Sequence, residues 1–311
     1  MKHTIDFTKI KTISLDARKC KVSIKDFARP TKKRGSFENF YKSMPDILAG
    51  RNLRSLVDAV ADAYKKDKMV IFMMGAHVIK CGLSGLIIDL MKKGVVKTIA
   101  LNGAGIIHDT EIALIGRTSE DVGEGITDGS FGMSAETASF INEAINSGFS
   151  KGIGIGQAVG GRIVKEKLPF AAMSILAAGF KLNIPVTVHV AIGTDIVHQH
   201  PSANGEAIGE GSLLDFRNFI YSVSALEGGV AINFGSAVIL PEVFLKAVTV
   251  SRNLGFKLKV FTTANFDMIS HYRPYQNILS RPTSTGGKGY NMIGHHEIMI
   301  PILHRAIIEK I

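Results

Sequence analysis

Short unbroken apolar runs, alternating with helix-period segments, constrain this chain more than any other feature. Residues 69–74 read MVIFMM, with no polar alternation, which suits a strand buried on both faces. Before it, Leu53, Leu56, Val57, Val60, Ala61 and Tyr64 recur at helical spacing and make one apolar face. Gly75 ends the strand, and a helix through Leu86, Ile87, Leu90 and Met91 follows. Residues 98–101 make a second strand, broken by Asn102-Gly103-Ala104-Gly105. The alternation then repeats. A helix over 170–182 leads to a strand at 185–190, and a long polar loop runs to about residue 212. A helix over 213–226 leads to a strand at 229–233, and a helix from about Pro241 leads to one at 257–262.

Helices between short buried strands imply an α/β fold. The expectation is a Rossmann-like, doubly wound, mainly parallel sheet of about six strands with helices on both faces. That domain is expected over residues 51–311, preceded by a basic arm over 1–50. The arm carries Lys9, Lys11, Arg18, Lys19, Lys21, Lys25, Arg29, Lys32, Lys33 and Arg34, much of a formal net charge of +10. Such a stretch can attract nucleic acid or an acidic protein. It lacks the interleaved aromatics of a single-strand binder, so it reads as a solvated arm and no nucleic-acid partner is expected. Cys20 and Cys81 have neither metal-type spacing nor the number for a disulfide framework. With no leader-like start and no apolar run near ~18 residues, a cytoplasmic protein with no membrane partner is expected.

Ligands in such sheets bind outside the carboxyl ends of the strands. The residues just past each strand are Gly75-Ala76-His77, then Asn102-Gly103-Ala104-Gly105 running on to His108-Asp109. After them come Gly193-Thr194-Asp195 running on to His198-Gln199-His200, then Phe234-Gly235-Ser236, and then Thr262-Thr263-Ala264-Asn265-Phe266-Asp267. Glycines there let backbone N–H groups approach a ligand, and each following helix start favours an anion. Gly152-Ile153-Gly154-Ile155-Gly156 lacks a third glycine at the offset of a dinucleotide loop and reads as a flexible connection.

Residues 69–114, MVIFMMGAHVIKCGLSGLIIDLMKKGVVKTIALNGAGIIHDTEIAL, resemble the corresponding part of the deoxyhypusine synthase family. Ile184-Pro185-Val186, the helix at Leu214-Asp215, Phe261-Thr262-Thr263-Ala264-Asn265-Phe266-Asp267 and Arg281-Pro282 follow in the family's order, so the similarity runs collinearly over about 50–310. The resemblance implies NAD as cofactor, a small amine such as a polyamine as substrate, and aminobutyl-type transfer through an imine by a transferase. It also implies a homotetramer with sites at subunit boundaries. Position by position, it places Gly75, His77, Lys80, Asn102, Gly103, Ala104 and Thr263 at the cofactor. It places Lys288, after Arg281-Pro282 and Gly286-Gly287, where the family keeps its catalytic lysine.

The residues also depart from the family's pattern. The family's acidic pair after the second strand is His108-Asp109 here, its histidine-bearing motif after the fourth strand is Ser236-Ala237-Val238-Ile239, and there is no Trp. Binding a cationic amine calls for carboxylates, so Asp109 and Asp195, with His200 and His295 beside them, are expected at the substrate. His108 and His198 are expected to move protons near neutral pH. The alternative is a metal-dependent or acid–base enzyme on the same scaffold with a different small substrate. In its metal form, Asp195, His198 and His200 would hold Zn²⁺ or another divalent ion. Either these histidines serve chemistry, or they bond loop backbone and subunit interfaces. A binding subunit without activity is a third possibility. His189, inside a strand, reads as a satisfied core histidine, and Cys81 as a small core residue.

Overall fold

The computed structural model describes residues 5–311; the first four residues of the basic arm lie outside the described residues. The chain divides into two compact units, one ending at Arg51 and one running from Asn52 to Ile311. In the first, three single 3-10 turns (Phe7–Lys9, Leu15–Ala17, Ile24–Asp26) are each capped by the preceding Asp6, Ser14 or Ser23 side chain. Helix α1 (Phe37–Ser43) follows, capped by Ser36. The lysines and arginines of this unit between Lys9 and Arg34 are exposed.

Helix α2 (Leu48–Lys65) buries Leu53, Leu56, Val57, Val60 and Ala61, the face the sequence periodicity marks. The large unit then runs β1 (Val70–Met74), α3 (His77–Lys80), α4 (Ser84–Lys92), β2 (Thr98–Asn102), α5 (Gly103–Ile115), α6 (Val122–Asp128), α7 (Ala135–Phe149) and α8 (Ile155–Lys165). It continues through α9 (Ile175–Leu182), β3 (Val186–His189), α10 (Gly205–Ser224), β4 (Val230–Phe234), α11 (Ile239–Asn253), β5 (Thr262–Asp267), α12 (Tyr272–Pro274), β6 (Lys288–Ile293) and α13 (His296–Ile308).

The strands form one six-stranded sheet in the order β3-β2-β1-β4-β5-β6. Every pairing is parallel. This is the doubly wound order, with its reversal between β1 and β4. β1 and β4 are buried at every residue, so both faces of the central sheet are covered. On one face Ile71, Met73 and Ala231 pack with Phe219, Val223, Leu240, Phe244 and Val248 of α10 and α11. Truncating Phe244 there would cost about 3–5 kcal/mol. Toward the other face, the Phe72, Phe234 and Phe266 rings meet across β1, β4 and β5 with centroids 5.1 and 5.2 Å apart.

β5 starts where the sequence periodicity ends a strand. The apolar residues of 257–261 are an approach segment, with the Lys259 and Val260 N–H groups donating to Glu227. The more polar Thr262–Asp267 segment is the strand. An asparagine ladder satisfies its buried Asn265, while the Thr263 hydroxyl is buried without a hydrogen-bond partner. Asn233 donates to Asn265 at 2.7 Å, and Asn265 donates to Asn291 at 3.1 Å, in register across β4, β5 and β6. The glycine segment at 152–156 is likewise no flexible connection. A Cβ at Gly156 would lie 1.7 Å from the Val186 carbonyl oxygen, and one at Gly154 1.9 Å from Asp215 Oδ1. The buried Asp215 carboxylate accepts from the N–H groups of Gly156 and Val188, both at 2.9 Å. That carboxylate pins the start of α8 to β3.

Candidate functional site

At the carboxyl ends of β2 and β3 lies a cavity of about 230 Å³. Lys80, Ala104, His108, Glu111, Glu120 and Asp195 are among the residues that line it. The elements explain the grouping. Asn102 ends β2 and caps α5 by accepting the Gly105 N–H at 3.0 Å, which aims the first turn of α5 at the cavity. His108 and Glu111, one helical turn apart on α5, face the same way. The loop after β3 brings in Asp195, and the packing is close: a Cβ at Gly103 would fall 1.8 Å from Asp195 Oδ2. A second cavity of about 550 Å³ adjoins it, sharing Glu111, Ser119 and Glu120 and adding Arg117, Thr118, Glu136 and Thr137.

The electrostatics of this wall are specific. Asp195 is 6% exposed, and its Oδ2 makes no hydrogen bond. Burial raises its carboxyl above the ordinary range, opposed by nearby His198, whose Nε2 lies 3.8 Å from Oδ2. His198 Nδ1 accepts from the N–H groups of Gly193 at 3.1 Å and Asp195 at 3.3 Å, so the ring braces the loop that carries Asp195. His108 is held below the ordinary histidine value by burial, with Glu111 raising it and Lys80 lowering it. Its Nδ1 lies 2.6 Å from the Thr118 hydroxyl, which in turn bonds Glu111.

Of the residues expected from sequence, the structure brings together Lys80, Gly103, Ala104, His108, Asp195 and His198, with Asn102 as the helix cap. Others lie elsewhere. Asp109, on the far side of α5, is fully buried; its carboxylate accepts from the Ser174 hydroxyl at 2.5 Å and the Ile175 N–H at 2.8 Å. It anchors the start of α9 and does not face the cavity. Lys288 opens β6 beside Thr262, at the amino-terminal edge of the sheet, and does not line this cavity. Thr263, the second residue of β5, is wholly buried, because the strand begins five residues later than its apolar signal. His200 bonds Ser202 within its own turn, and exposed His295 pairs loosely with Glu297. His77 is exposed at the start of α3, its ring 6.1 Å from that of His296.

The glycine turns at the β1–β4 reversal are closed by protein. The Gly75 N–H donates to the Phe234 carbonyl and the Gly235 N–H to that of Phe266, both at 2.9 Å. A Cβ at Gly75 would meet the Gly235 carbonyl oxygen at 2.8 Å, and one at Gly235 would meet His296 Nε2 at 2.5 Å. The anion-binding potential of the sheet therefore rests on Lys80 and the first turn of α5, not on these turns. Among the described residues, no group of three His, Cys, Asp or Glu side chains is placed to hold a metal ion. Asp195 and His198 are neighbours, but His200 turns away to Ser202. Thr118 and Glu120, absent from any sequence expectation, sit in the loop after α5, where no strand end points to them.

No protein-family model and no curated protein matches the sequence. Solved structures match in fold. A Methanococcus maripaludis protein assigned to the LOR/SDH type shares 14% identity and a TM-score of 0.50 over 89% of this chain and 71% of its own. An Entamoeba histolytica protein assigned as a deoxyhypusine synthase shares 12% identity and a TM-score of 0.54 over 90% of this chain and 95% of its own. AgrE, solved with ornithine and NAD⁺, shares 14% identity and a TM-score of 0.54 over 83% of this chain, but over only 33% of its own length. At these identities the shared property is the Rossmann-like fold. No helix among the described residues is long and apolar enough to cross a membrane.

Proposed function

We propose that this chain is an NAD-dependent transferase acting on a small amine, with its site in the cavity at the carboxyl ends of β2 and β3. The observation that carries the reading is the set of charges gathered in that cavity. Lys80 and the first turn of α5 line it together with the carboxylates of Glu111, Glu120 and Asp195. A dinucleotide needs a place for phosphate and an acceptor for ribose hydroxyls; an amine needs a countercharge. Lys80 and the α5 start fit the phosphates, and the Asp195 carboxylate in the cavity lining fits a hydroxyl donor. When bound, NAD supplies a hydride acceptor for the carbon bearing the amine. Glu111 and Glu120 would neutralise the amine, and His108, held below its ordinary value by burial, would take its proton. The adjoining larger cavity gives room for a second amine as acceptor.

The solved relatives of this fold support the same direction, since their names include an NAD⁺ and ornithine complex and a deoxyhypusine synthase. Calorimetry decides the reading. NAD should bind the full-length protein, a polyamine should bind only in its presence, and Lys80→Met should weaken NAD binding about tenfold or more, the range of one lost charge-assisted contact. Absence of NAD binding overturns it. One observation favours a second reading: the closed turns at Gly75 and Gly235 offer no open dinucleotide cradle. On that reading the cavity is an acid–base site for a small cation alone, and a polyamine binds without NAD.

A further inference from the structure

We infer that Thr118 and Glu111 are positioning residues that hold His108 in its Nδ1–H tautomer, leaving Nε2 as the nitrogen that exchanges a proton with a ligand in the cavity. The inference rests on the site proposed above and adds the part that sets its proton chemistry. Glu111 is the acceptor at the end of a short chain. Its Oε2 accepts from the Thr118 hydroxyl, and its Oε1 accepts from the Thr137 hydroxyl at 3.2 Å. A carboxylate has no hydrogen to give, and a hydroxyl has only one. Thr118 therefore spends its hydrogen on Glu111 and can meet His108 Nδ1, 2.6 Å away, only as an acceptor. The proton on His108 must then sit on Nδ1, and the lone pair on Nε2.

The surroundings agree with such a role. The His108 side chain is 17% exposed, enclosed but reachable, and it lines the cavity that Asp195 and Glu120 line from the loops. The charged groups bearing on it are Glu111 on its own helix, 3.8 Å from Nδ1, and Lys80 from α3. Asp195 and Glu120 line the same cavity. A histidine whose tautomer is set by a hydroxyl–carboxylate chain presents the same nitrogen every time, which is what proton transfer to a fixed ligand needs. The chain also ties the loop after α5 to α5 itself and, through Thr137, to α7.

The test is a long-range proton–nitrogen NMR correlation on the full-length protein labelled with ¹⁵N-histidine, with the His108 signals identified by their loss in His108→Asn. Above its titration, His108 should show a protonated Nδ1 and an unprotonated Nε2. Thr118→Val should abolish that preference, and Thr118→Ser should restore it. Glu111→Gln, which removes the charge that raises His108, should lower its titration midpoint. An Nε2–H tautomer in the wild type, an unchanged tautomer in Thr118→Val, or an unmoved midpoint in Glu111→Gln overturns the inference. If Thr118→Val fails to fold, the wild-type tautomer and the Glu111→Gln midpoint still decide it. The readout needs neither NAD nor an amine, so failure of the proposed function in calorimetry and failure of this inference are separate results.

Discussion

The Cα of Gly103 packs against the carboxylate of Asp195, leaving so little room that an added Cβ would lie 1.8 Å from Oδ2. Gly103 begins α5 and Asp195 belongs to the loop after β3, so this approach joins the two walls of the candidate site. Gly103→Ala must push Asp195 away from His198 or shift the loop. Thermal unfolding should show a loss of about 1–3 kcal/mol, the usual cost of overpacking. Calorimetry should show loss of NAD and amine binding beyond what the stability change explains. Gly209→Ala, in the interior of α10 with open space around it, is the control and should be neutral or stabilising by up to about 1 kcal/mol. Unimpaired ligand binding in Gly103→Ala would remove Asp195 from the site.

Lys288 sits at the opposite end of the sheet from His108. β6 begins with it, in register with Thr262 at the start of β5, and it lines a cavity with Asp58, Asp62 and Gly229 at the amino-terminal edge. A strand of five or six residues separates the two ends by roughly 15–20 Å, beyond the reach of a lysine side chain. Lys288→Ala should therefore leave NAD and amine binding unchanged. Borohydride added to wild type with NAD and a polyamine should trap no adduct on Lys288 in a peptide map. A trapped adduct on that residue would mean that the sheet end carrying Lys288 takes part in the chemistry.

How far the sequence carries is clearest in this pair. The strands of β1 and β2 are plain because MVIFMM and its neighbour are continuous apolar runs, and the turns after them hold the helix cap Asn102 and His108 where the periodicity puts them. β5 and β6 are different. The asparagine ladder from Asn233 through Asn265 to Asn291 joins the side chains of polar segments, a pairing across strands that no local pattern shows. With β5 displaced, Thr263 becomes core and Lys288 becomes a strand residue. Asp109 was legible as a carboxylate near a strand end, but not as the anchor of α9, because its partners Ser174 and Ile175 are more than sixty residues away. Thr118 and Glu120 reach the site through a loop fold, for which composition gives no signal.

Assembly as a homotetramer, expected from the family resemblance, has a candidate surface in α9 and the turn before it. Phe170, Met173, Phe180 and Leu182 are 39–47% exposed there. Covering what remains exposed of each is worth on the order of 1 kcal/mol, under half the value of full burial, so several together are needed to hold subunits. Sedimentation at micromolar concentration should show an oligomer for the wild type and a smaller species for Phe180→Glu, with unchanged circular dichroism. A wild-type monomer, or an unaltered oligomer in the variant, would exclude α9 as the interface.

Asp215 gives a pH dependence that separates the scaffold from the site. Burial pushes its carboxyl up to about 7, against the lowering effect of the Gly156 and Val188 N–H groups that it accepts. A carboxyl raised on folding binds its proton more tightly in the folded state. Its contribution to stability is therefore full below the unfolded value of 3.8, falls as pH rises from about 4 to about 7, and is constant above. Asp215→Asn keeps an acceptor oxygen and cannot ionise. Asp109, pushed up to about 6 by burial, remains in both proteins and cancels in the comparison. Urea unfolding at steps between pH 4 and pH 8 should show the wild type losing stability relative to Asp215→Asn, by on the order of 4 kcal/mol across the range. The difference should level off above pH 7. Parallel profiles for the two proteins would mean that Asp215 stays ionised throughout, with its backbone donors outweighing burial, and that the pin between α8 and β3 is a charged one.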